Sequence, residues 1–403
     1  MDLKDSPAEA AFRQEVRDWI KENLPQEWQE KGFRKMLATD PFGAVGFFTE
    51  WNKRLLQKGW LGFGWPKEVG GGGASPVMQA ILNEEMTRHN APPLGVSLMG
   101  LGWVGPSIVL YGNEEQKKRF LPGIFNGTDQ WCQGFSEPGA GSDLASLKCR
   151  AVRQGDHYLV NGQKTWTSIA NLANWIMLLV RTDPSAPKRN GITCLMVDMT
   201  SPGITARTIK QMNRHEEYSE VFFEDVNVPV ENRLGEENKG WQVAKATLVF
   251  ERSGISETIE LDRGVEALKK ASKKLKKNGK PLNEDPVFRQ KVAQTNMELR
   301  ALKLLGLRIL SKQNRGKDVR NDSSVTKLGR LNVGYKLDCL GMDLLGTYSQ
   351  LLRGSDSVID QGKWTNRFLA WPGYVIGGGT PHIQKNIIAE RILGLSPDDR
   401  DEK

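Results

Sequence analysis

Residues 133–168 bring together side chains suited to gripping a flat ligand with polar edges. A Gly/Ser loop, QGFSEPGAGSD, is followed by NGQKTWTS, which ends in Trp166, Thr167 and Ser168. Gly139 and Gly141 let backbone come close to a ligand, and Ser136, Ser142 and Ser168 bring hydroxyls that donate or accept. Trp166 supplies a rigid plane. That set suits an isoalloxazine ring and a thioester. Each segment alone also fits an ordinary turn, since Gly, Pro, Ser and Asp cluster in loops and Asn-Gly between apolar runs is a hairpin signal.

The elements that must position these residues fall into three zones. Up to about residue 125 the apolar period is helical: residues 8–24 put Phe12, Val16, Trp19 and Ile20 on one stripe, and residues 76–87 repeat the pattern. Between them GWLGFGWPKEVGGGG reads as a structural turn, because it lacks the Lys-Ser/Thr ending of a phosphate loop. From about Trp131 to Val230, HYLVNGQK, NWIMLLVRTD, GITCLMVDM, GITARTIK and SEVFFEDVNVP read as strands of a small sandwich or barrel. Helical periodicity returns from about Gly240, over residues 241–255, 257–277, 285–314 and 382–393.

Bulk properties narrow the class. A chain of 403 residues exceeds one ordinary core, so two or three packed units are expected. Its 38% hydrophobic and 26% charged residues fit a soluble globular protein. The net charge of +8 is spread along the chain, and its one dense run, 269–280, lacks interleaved aromatics. That run reads as a solvated helix face able to touch nucleotide phosphates, and nucleic acid is not expected as a partner. Four scattered cysteines and no His at metal spacing imply a reducing compartment and no metal site. The charged start argues against a secretion signal, and Pro92, Pro93 and Pro106 break the uncharged stretch 91–113, leaving a buried helix pair around a ligand. A cytoplasmic protein with no membrane span is expected.

EPGAGSD followed by NGQKTWTS resembles the acyl-CoA dehydrogenases, and the ordered match runs over nearly the whole chain. The resemblance implies an α+β fold: an N-terminal helical domain (1–125), a central β-barrel or sandwich domain (126–238) and a C-terminal four-helix bundle (239–403) that also builds the oligomer interface. It implies FAD held by Gln133, Phe135, Ser136, Gly141, Ser142, Trp166, Ser168 and Thr380, with Ser142 also reaching the CoA arm. Ser136 corresponds to a hydroxyl on the pyrimidine side of the flavin, Trp166 to an aromatic on the face away from substrate, and Ser168 to a Thr near N5. The reaction implied is α,β-dehydrogenation of an acyl-CoA, with electrons passed to electron-transferring flavoprotein.

Such chemistry needs a base for the α-proton. In many members it is the Glu of a Tyr-Glu-Gly-Thr motif; here Ile376, Gly377, Gly378, Gly379 and Thr380 put Gly378 in its place. The branch containing isovaleryl-CoA dehydrogenase carries its base on the helix opening the C-terminal domain, directly before an Arg. In GWQVAKATLVFERSGIS that position is Glu251, followed by Arg252. Bacterial members similar to the pimeloyl-CoA dehydrogenase large subunit share WCQGFSEPG and this pair. Gly378 keeps the backbone N–H that serves the family as oxyanion donor. The three glycines predict a branched, cyclic, long or dicarboxylic acyl group, walled by Leu98, Met99, Leu101 and Trp103, with Arg252 on the substrate side.

The ADP end of FAD departs from the family. Where relatives carry an Arg to the pyrophosphate, KKLKKNGKPL offers Lys276, a point charge in place of a bidentate fork. LGMDLLGTYS stands where the family has an adenine-binding QxxGGxG loop. Two alternatives follow: one subunit of a hetero-oligomer whose partner completes the FAD site, or a non-catalytic acyl-CoA-binding subunit. A homo- or hetero-oligomer arranged as a dimer of dimers is expected. Of the histidines, His382 reads as a helix-start residue, and His89, His157 and His215 are not put forward as ligands.

Overall fold

The computed structural model describes residues 4–31, 41–94, 97–251, 255–319 and 321–396, and helices, then strands, then helices follow along the chain. The first segment holds α1 (Pro7–Asn23), α2 (Gln26–Lys31), α3 (Pro41–Gln57), α4 (Pro76–Arg88), α5 (Gly105–Tyr111) and α6 (Glu114–Asn126). The middle segment holds β1 (Trp131–Gly134), β2 (Arg150–Gln154), β3 (His157–Ser168), β4 (Trp175–Arg181), β5 (Ile192–Asp198), β6 (Ile204–Ile209), β7 (Tyr218–Pro229) and β8 (Arg233–Leu234). After these come α7 (Gly240–Glu251), α8 (Ile255–Ser272), α9 (Pro286–Asn314), α10 (Asp322–Leu345), α11 (Lys363–Ile376) and α12 (Pro381–Arg391). Among the described residues no helix is long and apolar enough to cross a membrane.

The chain forms two compact units that cut across this order. One takes in Lys21–Ala74 and Pro92–Glu251. Its eight-stranded sheet runs β6-β7-β3-β2-β4-β5-β8, with β1 parallel to β4. Strands β4 and β5 are buried almost throughout, hence their mostly apolar runs, while β3 and β7 alternate as half-solvated strands do. Helix α7 packs on β5, and Gly240 permits it: a Cβ there would lie 2.6 Å from the Cys194 nitrogen.

The sequence misplaces one turn in this sheet. The β2–β3 hairpin turns at Gly155 and Asp156, whereas Asn161-Gly162-Gln163-Lys164 lies inside β3. Gly162 has φ +147° and sits at a register shift, and a Cβ on it would meet the Cys149 Cα at 2.7 Å. The glycine answers a bulge and a close approach, not a turn. The uncharged stretch differs too. A turn of π-helix, Gly100–Val104, leads directly into α5, so the expected helix pair is one joined segment.

The other unit takes in the chain up to Ile20, Ser75–Ala91 and the C-terminal helices. Leu261, Val265 and Leu268 of α8 meet Leu299 and Leu302 of α9 and Val333, Leu337, Leu340 and Leu344 of α10. Gly334 and Gly341 let Trp371 and Trp364 of α11 lie against α10, and Arg367 Nε donates to Asp338 at 2.7 Å. Within the same unit Arg13 and Arg17 both bond the fully buried Glu85 of α4. The basic run is not one helix face: α8 ends at Ser272, and Lys276–Lys277 pairs with Lys280–Pro281 across Asn278 (φ +52°) and Gly279 (φ +80°). This is an Asn-Gly hairpin with both central residues at positive φ.

Candidate functional site

In the sheet unit, the loop after β1 is built around a buried ion pair. Lys164, wholly buried in β3, donates to Glu137 Oε1 at 2.8 Å and to the Phe135 carbonyl at 3.0 Å. Glu137 also accepts the backbone N–H groups of Lys148 (2.7 Å) and Cys149 (2.9 Å). Glu137 and Ala140 exchange backbone bonds, and Thr165 N–H donates to the Ser136 carbonyl at 2.9 Å. These contacts fix the loop from below and leave its upper edge, including Gly139, Gly141 and Ser142, exposed.

Gly139 and Gly141 have negative φ, and a Cβ on either would meet nothing within 4 Å. The fold itself therefore does not demand glycine at either position, which fits a ligand approaching the backbone. Trp166 points the same way: it is 59% exposed, held at φ +60°, and lies in a register shift of β3 that turns its ring outward against Tyr218. Ile169, three residues on, is also left-handed at φ +53°. Such conformations cost about 1–3 kcal/mol each and gather at functional sites. Ser136 and Ser168 are half-buried, and the Gln133 Nε2 is buried without a protein partner. An exposed ring plane, two half-buried hydroxyls and an unmatched buried donor are what a flavin would use. Phe135 turns into the core.

In the stretch expected to wall an acyl group, Met99 and Leu101 are buried, Trp103 is half-buried, and Leu98 is 46% exposed. Glu251 closes α7, but its side chain and the whole of Arg252 lie outside the described residues.

The C-terminal unit holds the remaining residues. Gly378 (φ +63°) and Gly379 (φ +97°) form a left-handed turn between α11 and α12. The buried Lys327 donates to the carbonyls of Gly377 and Gly379, and the buried Gln384 donates to those of Gly378 (3.3 Å) and Gly379 (3.2 Å). Thr380 caps α12 by accepting the Ile383 N–H at 3.3 Å, and His382 follows in the first turn. Lys276 is exposed on its hairpin. LGMDLLGTYS is not a loop: it completes α10 at Leu345 and continues as a 3-10 turn, Gly346–Gln350.

Glu137, Lys164, Lys327 and Gln384 were not singled out from the sequence. Lys164 carried no usable signal, standing among Asn161, Gln163 and Thr165 in a mostly polar stretch of β3. Lys327 carried none, lying in a helix without an apolar stripe. Among the described residues no group of three His, Cys, Asp or Glu could hold a metal.

Comparison with known proteins agrees with this architecture. Residues 6–128, 132–226 and 238–393 match the N-terminal, middle and C-terminal domain models of acyl-CoA dehydrogenase. The chain is 35% identical over 393 residues to acyl-CoA dehydrogenase IpdE1 of Mycobacterium tuberculosis, covering 95% of this chain and 97% of that one. The ChsE4-ChsE5 complex from Mycobacterium tuberculosis superposes with a TM-score of 0.84 at 32% identity, covering 99% of this chain and 100% of the matched one. The Tcur3481-Tcur3483 steroid ACAD gives 0.82 at 31%, with the same coverage. The chain belongs to the acyl-CoA dehydrogenase family, oxidoreductases that are generally FAD flavoproteins.

Proposed function

We propose that the chain catalyses α,β-dehydrogenation of a bulky, polycyclic acyl-CoA to the trans-2-enoyl-CoA, with Glu251 as base. The observation that carries this reading is the Gly377–Gly379 turn. Its left-handed backbone at Gly378 disfavours any side chain, so the turn supplies no carboxylate and, set beside the thioester, would crowd the reacting carbons little. Bound FAD would supply the acceptor for the β-hydride. The protein's own task is then to position and to move one proton. Glu251 takes the α-proton, and the Gly378 N–H, on a turn held by Lys327 and Gln384, donates to the thioester oxygen and acidifies that proton. Ser136, Ser168 and Gln133 hold the polar edge of the ring, Trp166 its face, Ser142 the CoA arm, and Thr380 and Lys276 the phosphate side. Leu98 and Trp103 wall the acyl group with Met99 behind them, and Arg252, which follows the base in the sequence, serves the substrate side. Likeness to a steroid ACAD supports a polycyclic substrate.

The purified protein is mixed, without oxygen, with isobutyryl-, cyclohexanecarbonyl-, glutaryl-, palmitoyl- and cholanoyl-CoA. Flavin bleaching fastest with cholanoyl-CoA is expected, and bleaching confined to straight chains overturns the substrate reading. Electrons would leave to electron-transferring flavoprotein. A second reading, one subunit of a hetero-oligomer, is favoured by Lys276 standing on an exposed hairpin where the family has an Arg, and by likeness to the ChsE4-ChsE5 complex. A colourless chain that becomes yellow only when co-purified with a second subunit would support it.

A further inference from the structure

We infer that Thr247 is a positioning residue for the proton-abstracting carboxylate, acting with Ser107 to fix the helical segment that ends at Glu251; this rests on reading Glu251 as the base. Thr247 lies one turn before Glu251 in α7, and Ser107 lies in α5, directly after the π-helical turn. Both side chains are buried, and their oxygens are 2.9 Å apart. Ser107 Oγ also lies 2.8 Å from the Trp103 carbonyl, and Thr247 Oγ1 lies 2.9 Å from the Val243 carbonyl. Two hydroxyls carry two protons, so when the bond between them is made only one carbonyl can be served. Each carbonyl bond runs back one helical turn, a pattern that bends helices.

The geometry gives the pair a purpose beyond stability. Replacing two buried hydrogen-bonded groups with apolar groups of similar shape is nearly neutral for folding, so the pair adds little there. What it adds is direction. Gly240 seats the start of α7 against β5, and Thr247 ties its middle to the segment that begins with the π-helical turn, a rare geometry frequent at functional sites. Held at two points, the helix can aim its last turn in one direction only. A base displaced by about 1 Å can lose roughly a hundredfold in rate.

The full-length holoenzyme is compared with T247V, T247S, S107A/T247V and E251Q. The probe is cholanoyl-CoA in anaerobic rapid mixing across pH, together with amide hydrogen exchange of residues 244–251 without substrate. The expected result is a limiting rate of flavin reduction roughly 10- to 100-fold lower in T247V and in the double variant. Half-saturation should be unchanged, the acidic limb of the pH profile, where the base loses its proton, displaced, and exchange in the last turn faster. T247S should restore the rate to within about twofold, because it restores the hydroxyl. Wild-type rate, pH profile and exchange in the double variant, with E251Q inactive, would overturn the positioning role and leave the base intact. Turnover by E251Q would remove the base reading, and this inference with it.

Discussion

Lys164→Met isolates the contact on which the cofactor loop rests. At 2.8 Å, and with an effective dielectric constant of about 20, the Lys164–Glu137 attraction is roughly 6 kcal/mol, much of it offset by the desolvation of both ions. Deleting one partner is the costly change, about 3–5 kcal/mol, because it strands the other charge. Here the lower end applies: Glu137 keeps the Lys148 and Cys149 N–H donors, so its carboxylate is not wholly unmatched. About 3 kcal/mol, against an unfolding entropy of roughly 2.1 cal/mol/K per residue for a chain of this length, places the melting transition about 3–4 °C lower. Calorimetry on wild type, K164M, E137Q and K164M/E137L provides the assay, with flavin content measured in parallel. The double variant should lose less than the sum of its single changes, since it strands no charge. If K164M melts within about 1 °C of wild type and binds flavin fully, the ion pair does not hold the loop.

Other perturbations have equally definite outcomes. Burial alone would raise the Glu85 carboxyl, but bonds from Arg17 and Arg13 outweigh it and hold its pKa below the ordinary value. Its stabilising contribution is therefore full above the unfolded value of about 4.3 and is lost as pH falls through the lower folded value; E85Q should flatten the loss of stability in acid titrations below about pH 4.3. Burial pushes the Cys149 thiol up to about 11 and the Cys194 thiol up to about 12, and raises Cys132 as well. Native protein treated with iodoacetamide near pH 8 should be modified at Cys339 first, as read by mass spectrometry of its peptides. Gly162→Ala places a methyl against Cys149 at a backbone angle that L-residues avoid, so melting should fall by several degrees and flavin content with it.

The residues show why some of this was legible in the sequence and some was not. Strands β4 and β5 announce themselves because both faces are buried and nearly every inner position is apolar, and α9 because Asp285 caps it ahead of Pro286. Helix α10 shows no stripe: Ser324, Lys327, Asp338 and Gly341 share its buried surface with leucines, so its period is lost although the helix is long. Helix α11 is hidden by Pro372 inside it. The exposed parts of the candidate site, Gly139, Gly141, Ser142 and Trp166, could be read from residue type, since a ligand-facing residue is chosen for its chemistry. Their supports could not: Glu137 and Lys164 are 27 residues apart and meet only once the loop has folded back over β3.

On the proposed mechanism, proton abstraction belongs to Glu251 because Gly378 carries no side chain to perform it. Single-turnover mixing of Glu251→Gln with cholanoyl-CoA, with flavin absorbance followed in the absence of oxygen, tests it most directly. The expected result is a yellow protein that binds the thioester and does not bleach, with flavin content equal to wild type. Bleaching at a rate within tenfold of wild type would contradict it.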